Sequence, residues 1–300
     1  MPVLLLFIDG VGLGDSKDYN PFFRFHLPGL ENLLHQNKLT KDLGYFENDG
    51  IWLIPTNATL GVEGVPQSAT GQSTIFTGRN APSFLGEHQS GFPFPRLREF
   101  IKKDNIYVQV KKLGKTATFA NTYTEDFFER PLTKRGWLST TTIAMLSADI
   151  PIRLLGELLR GEGVFHDITR ETLRQKIKGI ATVAPEEAAG HLLGLTKRFS
   201  LTVHEYFLTD VAGHRQDWEL ANNVLHTYDR FLQTIIEEKD EELTVILVSD
   251  HGNIEDMRTN NHTSNRVPTL IVGKNGKVAA EMISDLTDIT PAILSVLKHE

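Results

Sequence analysis

Acidic residues and histidines recur at the ends of apolar runs in this chain, and that placement is its first chemical signal. Asp9 follows Val3–Ile8, which reads VLLLFI. Asp210 and His214 follow the run Leu201–Leu208, and Asp250 and His251 follow Leu243–Ser249. His262 stands shortly before a further run, Val267–Val272. In open α/β sheets functional groups collect at the carboxyl ends of strands, so these side chains can meet although they are far apart in sequence. Three carboxylates and three imidazoles are enough for two divalent cations. Asp210 and His214, four apart, can converge on one ion across a helical turn. A mixed carboxylate–imidazole shell suits Mn²⁺ or Zn²⁺ better than Ca²⁺.

A hydroxyl nucleophile has its candidates in Val65–Ser73, which reads VPQSATGQS and offers Ser68, Thr70 and Ser73. The segment opens a helix expected to run to Thr77-Gly78-Arg79. A hydroxyl at a helix N-terminus lies where free amides and the macrodipole stabilise an anion, and a metal touching it lowers its pKa into a usable range. Each feature alone has a plainer reading. Asp9-Gly10 fits a turn, Ser68 a helix cap, and Asp210 with His214 a surface pair. The chemical reading rests on the set.

The elements that position these groups follow from hydrophobic patterning. Val3–Ile8, Ile51–Pro55, Thr116–Ala120, Leu201–Leu208, Leu243–Ser249 and Val267–Val272 read as strands. Helical spacing marks Pro28–His35 and a long helix from about Gln216 to Glu238. A closing helix is expected over Asp288–Leu297, with Asp288 as its N-cap. Continuous apolar strands alternating with amphipathic helices predict an α/β fold: a three-layer, doubly wound, mostly parallel sheet covered on both faces. The stretch 123–199 carries helical patterns, including Arg170–Ile180 and Pro185–Leu195, but no strong buried strand. It reads as a small helical insertion or cap within one domain spanning residues 1–300.

Composition narrows the function classes. The 300 residues include 31 Lys+Arg against 38 Asp+Glu, a net charge of −7, which disfavours general binding to nucleic acid. The absence of cysteine removes disulfides, thiolate metal sites and a cysteine nucleophile. Val3–Ile8 is too short for a signal sequence and meets Asp9 at once. No run approaches bilayer-spanning length, so a cytoplasmic protein without membrane association is expected. The sequence does not specify an oligomeric state.

Taken together, FIDGVG at Phe7–Gly12, VPQSATGQSTIFTGR at Val65–Arg79, LTDVAGH at Leu208–His214, SDHGNIEDM at Ser249–Met257 and NHTSNRVP at Asn261–Pro268 resemble the alkaline phosphatase superfamily. The branch they look most similar to holds cofactor-independent phosphoglycerate mutase and phosphopentomutase. The resemblance implies an alkaline phosphatase-like fold and two divalent metal ions. One metal would be held by Asp9, Ser68, Asp250 and His251, the other by Asp210, His214 and His262. It also singles out Ser68 as nucleophile, since the family's nucleophile lies three residues before a Gly, here Gly71. Gln72 follows that Gly where the mutase pattern has His. The Cys/Ser-x-Pro-x-Arg motif of sulfatases is absent from the same stretch.

The resemblance therefore implies phosphoryl transfer through a phosphoserine, by a phosphatase or phosphodiesterase whose partner is a small phosphorylated substrate. The alternatives are a phosphomutase acting on a small sugar phosphate or phosphoglycerate, and a metal-binding protein without turnover. The mutases carry a large basic second domain. Here the intervening stretch is much shorter, and Arg130, Arg135, Arg153, Arg160, Arg170 and Arg174 are scattered along it. His88 and Arg79 are further candidates for contact with the substrate.

Overall fold

A computed structural model describes residues 1–298 of the chain. The strands are β1 (Val3–Ile8), β2 (Phe46–Asn48), β3 (Ile51–Thr56), β4 (Ala117–Phe119), β5 (Leu201–Tyr206), β6 (Thr244–Val248) and β7 (Val267–Val272). They form one sheet in the order β2-β3-β7-β6-β1-β5-β4. β1 pairs in parallel with β5 and β6, and β4 in parallel with β5. β7 runs against β6, β3 against β7, and β2 against β3. Thus β1, β3, β4, β5 and β6 point one way and β2 and β7 the other. No helix separates β6 from β7. The chain loops over the end of the sheet and returns directly, which only an antiparallel neighbour allows.

Both faces of the sheet are covered, as the unbroken apolar runs require. Val3, Leu5 and Phe7 of β1 pack into one layer with residues of the helices Ser68–Thr77, Pro95–Lys103, Ile106–Lys112, Thr140–Ser147 and Ile289–Lys298. Leu4, Leu6 and Ile8 pack into the other, with the helices Pro28–Leu33, Pro185–Thr196 and Trp218–Glu238. The long helix buries Ala221, Val224, Leu225, Tyr228, Phe231, Leu232 and Ile235, a stripe at three- and four-residue spacing. It starts where the Asp217 side chain accepts from the Leu220 amide at 3.0 Å. Asp229, buried in the same helix, accepts from the amides of Gly29 and Leu30 at 2.9 and 2.7 Å and so caps the short helix packed on it.

The stretch 123–199 serves three places. Thr140–Ser147 joins the first layer and Pro185–Thr196 the second, while Leu158, Phe165, Leu173 and Ile180 form a small cluster of their own. Of Arg170–Ile180 only Glu171–Arg174 is helical. β5 ends at Tyr206, two residues before the run of apolar side chains does, because Leu208 already begins the helix Leu208–Arg215. The cap of the last helix also differs from expectation. Asp285 accepts from the Thr287 amide and starts a 3₁₀ turn at Leu286–Asp288. The Asp288 carboxylate instead turns back to the amides of Ser284 and Asp285. No helix among the described residues is long and apolar enough to cross a membrane.

Candidate metal centre

The sheet order sets β1, β5 and β6 side by side, so the loops leaving their carboxyl ends converge. Asp9 stands directly after β1, Asp210 in the first turn of the helix after β5, and Asp250 and His251 just past β6. The Asp9-Gly10 pair proves to be more than a turn. Gly10 has φ +70°, and a Cβ there would fall 2.6 Å from Asp210 Oδ1, so only glycine lets the β1 and β5 ends approach this closely. The Ser68–Thr77 helix approaches from the other side. At Gly71 a Cβ would lie 2.9 Å from Asp250 Cβ and from the Asp250 carbonyl oxygen.

His251 Nε2 lies 3.3 Å from Asp9 Oδ1, 3.6 Å from Asp250 Oδ2 and 2.9 Å from Ser68 Oγ. Asp9, Asp250 and His251 form one group able to hold a metal ion, and Asp210, His251 and His262 a second. His214 joins the second group, its Nε2 at 3.3 Å from Asp210 Oδ2 and 3.1 Å from His262 Nε2. The His251 and His262 rings stack at 3.7 Å between centroids. All seven strand-end and helix residues named from the sequence therefore surround one place.

The donor set fits a divalent metal. Asp9 Oδ1 and Asp250 Oδ2 are buried without a hydrogen-bond partner, and a buried unpaired carboxylate oxygen is costly unless a cation meets it. Among the described residues no Lys or Arg pairs with Asp9, Asp210 or Asp250. His214 Nδ1 faces the Asn260 carbonyl at 2.7 Å and His262 Nδ1 the Pro66 carbonyl at 3.0 Å. Each bond takes the ring proton at Nδ1 and turns the Nε2 lone pair inward, as metal-bound histidines require.

The electrostatics of the metal-free centre point the same way. Burial raises the pKa of Asp250 well above its usual value, and the neighbouring Asp9 charge adds to this. Burial likewise raises Asp9. Burial opposes a charged His251, yet the Asp250 and Asp9 carboxylates overcome it and lift its pKa to about 10. Without a metal, a proton on His251 supplies positive charge beside Asp9 and Asp250, a role a bound divalent cation would fill instead. Burial, with His251 alongside, lowers His262 to about 4. The Asp210 hydrogen bond raises His214.

Ser68 occupies the first position of its helix, and Gln67 before it makes no side-chain cap. Thr70 and Ser73, the other hydroxyls in the segment, bond to the carbonyls of Gln67 and Ala69. Arg79 lies past the far end of the same helix, where its guanidinium covers the Phe100 ring and donates to the Phe100 and Asp104 carbonyls. It is not among the residues lining the cleft over Ser68. His88 is absent from that lining too and packs near Gly64.

Three further residues hold the centre and a fourth, Glu205, borders its cleft; all carry weaker sequence signals. Glu255 is fully buried and accepts from the amides of Gly12 and Asn253 at 3.0 and 2.7 Å, from Asn265 Nδ2 at 3.0 Å and from the Thr263 hydroxyl. It ties the loop after β1 to the loop before β7. Asn253 Nδ2 donates to Asp210 Oδ1 at 2.7 Å. Gln72, in the position the mutase pattern gives to His, donates to Asp9 Oδ2 at 3.1 Å. Glu205 accepts from the Thr141 hydroxyl at 2.7 Å, and burial raises its pKa to about 7. An acid inside the apolar run LTVHEYFL was a readable anomaly; nothing local marked Glu255.

A cleft of about 700 Å³ opens over Asp9, Ser68, Gln72 and Asp210. Its other walls come from residues 119–142, 165–177 and 205–211.

Comparison with known proteins finds a metalloenzyme family model, phosphoglycerate mutase relatives and alkaline phosphatase structures. A family model described as the Metalloenzyme superfamily matches residues 156–300. The 2,3-bisphosphoglycerate-independent phosphoglycerate mutase of Wolinella succinogenes is 31% identical over 121 residues, covering 38% of this chain and 24% of that protein. The enzyme of the same name from Mycoplasma pneumoniae is 32% identical over 126 residues, covering 38% and 25%. The matches span about a quarter of the length of these relatives. Among solved structures, the alkaline phosphatase of the Antarctic bacterium TAB5 superposes with a TM-score of 0.55 at 16% identity, over 99% of this chain and 97% of that one. The cold-active alkaline phosphatase of a psychrophilic Shewanella gives 0.56 at 13% identity, over 99% and 100%. These structures show the shared α/β fold.

Proposed function

We propose that this chain, which resembles the alkaline phosphatase superfamily in fold and its phosphoglycerate mutase branch in sequence, is a metal-dependent phosphoryl-transfer enzyme. Its type is that of a phosphatase or phosphodiesterase acting through a phosphoserine at Ser68. The observation that carries this reading is the position of Ser68. Its Oγ stands 2.9 Å from His251 Nε2, beside the carboxylates of Asp9 and Asp250 and open to the cleft.

In this reading Asp9, Asp250 and His251 would hold one divalent metal beside Ser68, and Asp210, His214 and His262 a second. Such ions, Mn²⁺ or Zn²⁺, lower the pKa of a hydroxyl and neutralise charge on transferring phosphoryl oxygens. The chain's own contribution is positioning. Ser68 presents its oxygen at the positive end of a helix, and the Gln72 amide orients Asp9. Asn253 orients Asp210, while the carbonyls of Asn260 and Pro66 fix the two outer imidazoles. Ser68 Oγ bonds to phosphorus as the ester oxygen leaves. Water then releases phosphate and restores the serine.

A phosphomutase on a small sugar phosphate or phosphoglycerate is the second reading, favoured by the sequence relatives. The product separates the two, as free phosphate or as an isomeric ester. The test is a panel of phosphomonoesters, phosphodiesters and sugar phosphates with Mn²⁺ or Zn²⁺ supplied. Ser68→Ala is expected to lower turnover by at least about 10³-fold and to take no label from a ³²P-phosphoester. Near-full activity in that variant would overturn the assignment.

A further inference from the structure

We propose that the cleft selects phosphoesters whose alcohol portion is a planar ring, an aryl or nucleoside phosphate, over compact polyol or glycerate phosphates. This rests on the phosphoryl-transfer reading above and adds the class of substrate to it.

The first observation is the wall itself. Beyond the candidate metal ligands and Ser68, the cleft is faced by Phe92, Tyr123, Phe127, His166 and Phe207, while the Phe119 and Phe165 rings of the same wall are buried. They are arranged as platforms. The His166 ring stacks on Phe207 at 5.1 Å and 25°, with the buried Phe165 ring 4.3 Å from His166. Tyr123 and Phe127 stand 4.8 Å apart at 48° on the β4 side. Aromatic faces gain most from a planar partner in offset or edge-on contact, and bases and aryl rings supply one.

The second observation is size. At about 700 Å³ the cleft falls within the range of about 300–1,000 Å³ that encloses drug-sized ligands. A three-carbon phosphoester would leave most of it to water against apolar rings.

Charge is the third. A glycerate phosphate brings a carboxylate besides its phosphoryl group and needs fixed cations to receive both. The Lys and Arg residues on the cleft wall are Arg130 and Lys176, and Arg130 is already paired with Asp126 at 3.1 Å. That leaves Lys176 as the one cleft cation without an ion-pair partner among the described residues, too few for a carboxylate and a phosphoryl group together. Polar atoms remain for a ring edge. Ser139 and Thr124 face the cleft with their hydroxyl groups.

The test is binding to Mn²⁺-loaded Ser68→Ala protein by calorimetry. Its probes are phenyl phosphate, adenosine 5′-monophosphate, glycerol 3-phosphate and a lysophosphatidate, with turnover of the same compounds measured on the unaltered chain. At least one ring-bearing ester is expected to bind about tenfold or more tighter than glycerol 3-phosphate. That difference should shrink at least threefold when Phe207→Leu, which keeps an apolar side chain but loses the ring, is added. The two ring-bearing arms separate an aryl from a nucleoside preference. Equal affinity for phenyl and glycerol phosphates, with both hydrolysed, overturns the ring preference and leaves the phosphoryl-transfer reading standing. Tightest binding of the lysophosphatidate overturns it in favour of an acyl chain. Failure of every ester to bind or turn over on metal-loaded protein overturns both.

Discussion

Glu255 offers the sharpest test of how the centre is held. Its two carboxylate oxygens receive four donors, and two of these are the backbone amides of Gly12 and Asn253. Glu255→Ala leaves both amides buried and unpaired at about 1–3 kcal/mol each, a loss of about 2–6 kcal/mol before the vacated space is counted. Against a typical total of about 5–15 kcal/mol, such a change is conspicuous. Glu255→Gln should behave differently. Its carbonyl oxygen can stay over the two amides while Thr263 rotates its hydroxyl and Asn265 turns its side-chain oxygen to accept from the new amide, so the expected loss is about 1–2 kcal/mol. Urea unfolding of the three proteins in chelator measures these losses. Because Asn253 also orients Asp210, Glu255→Ala should weaken metal binding about 10–100-fold in a competition titration. Glu255→Ala within 1 kcal/mol of the parent, or Gln as harmful as Ala, would refute the argument that this carboxylate ties the loops together.

Other expectations follow from the same geometry. Gly71→Ala pushes a methyl group against Asp250 and should cost about 1–3 kcal/mol together with bound metal, read by unfolding and by metal analysis. In metal-stripped protein, Glu205 keeps its proton up to about pH 7 when folded, while in the unfolded chain it loses it near 4.5. Its contribution is therefore full below pH 4.5 and falls by about 3 kcal/mol as pH rises through 7. Glu205→Gln should flatten that slope, and an unchanged slope would dismiss Glu205 as its source. His262→Ala removes a nearly enclosed side chain and His214→Ala one that is 45% exposed. Both should cost one equivalent of metal, but only His262→Ala should also lower the stability of the metal-free chain noticeably.

Much of the fold was readable from local patterning. Largely apolar runs announced β1, β6 and β7, because strands covered on both faces have few polar positions to alternate, and β5 was legible despite His204 and Glu205 within it. The stripe on Trp218–Glu238 and the helix opening at Ser68 were equally plain. The reversed direction of β7 was not, since a strand's composition carries no sign of its orientation. The Asp288 cap failed for a related reason: two acids, Asp285 and Asp288, flank one turn, and only the backbone path decides which of them caps it.

The chain by itself determined which side chains stand at strand ends and which hydroxyls open the Ser68 helix. Those are one-dimensional facts set by periodicity and turns. Only the tertiary structure decided that Ser68 and His251, separated by 183 positions, come within 2.9 Å, and that two carbonyls aim the outer imidazoles inward. It also decided that a carboxylate in an unremarkable loop ties the centre together, and that aromatic rings from separate segments face one cleft. Each of these depends on the order of strands in the sheet. That order is fixed by the summed burial of both layers and leaves no mark on any short stretch of residues.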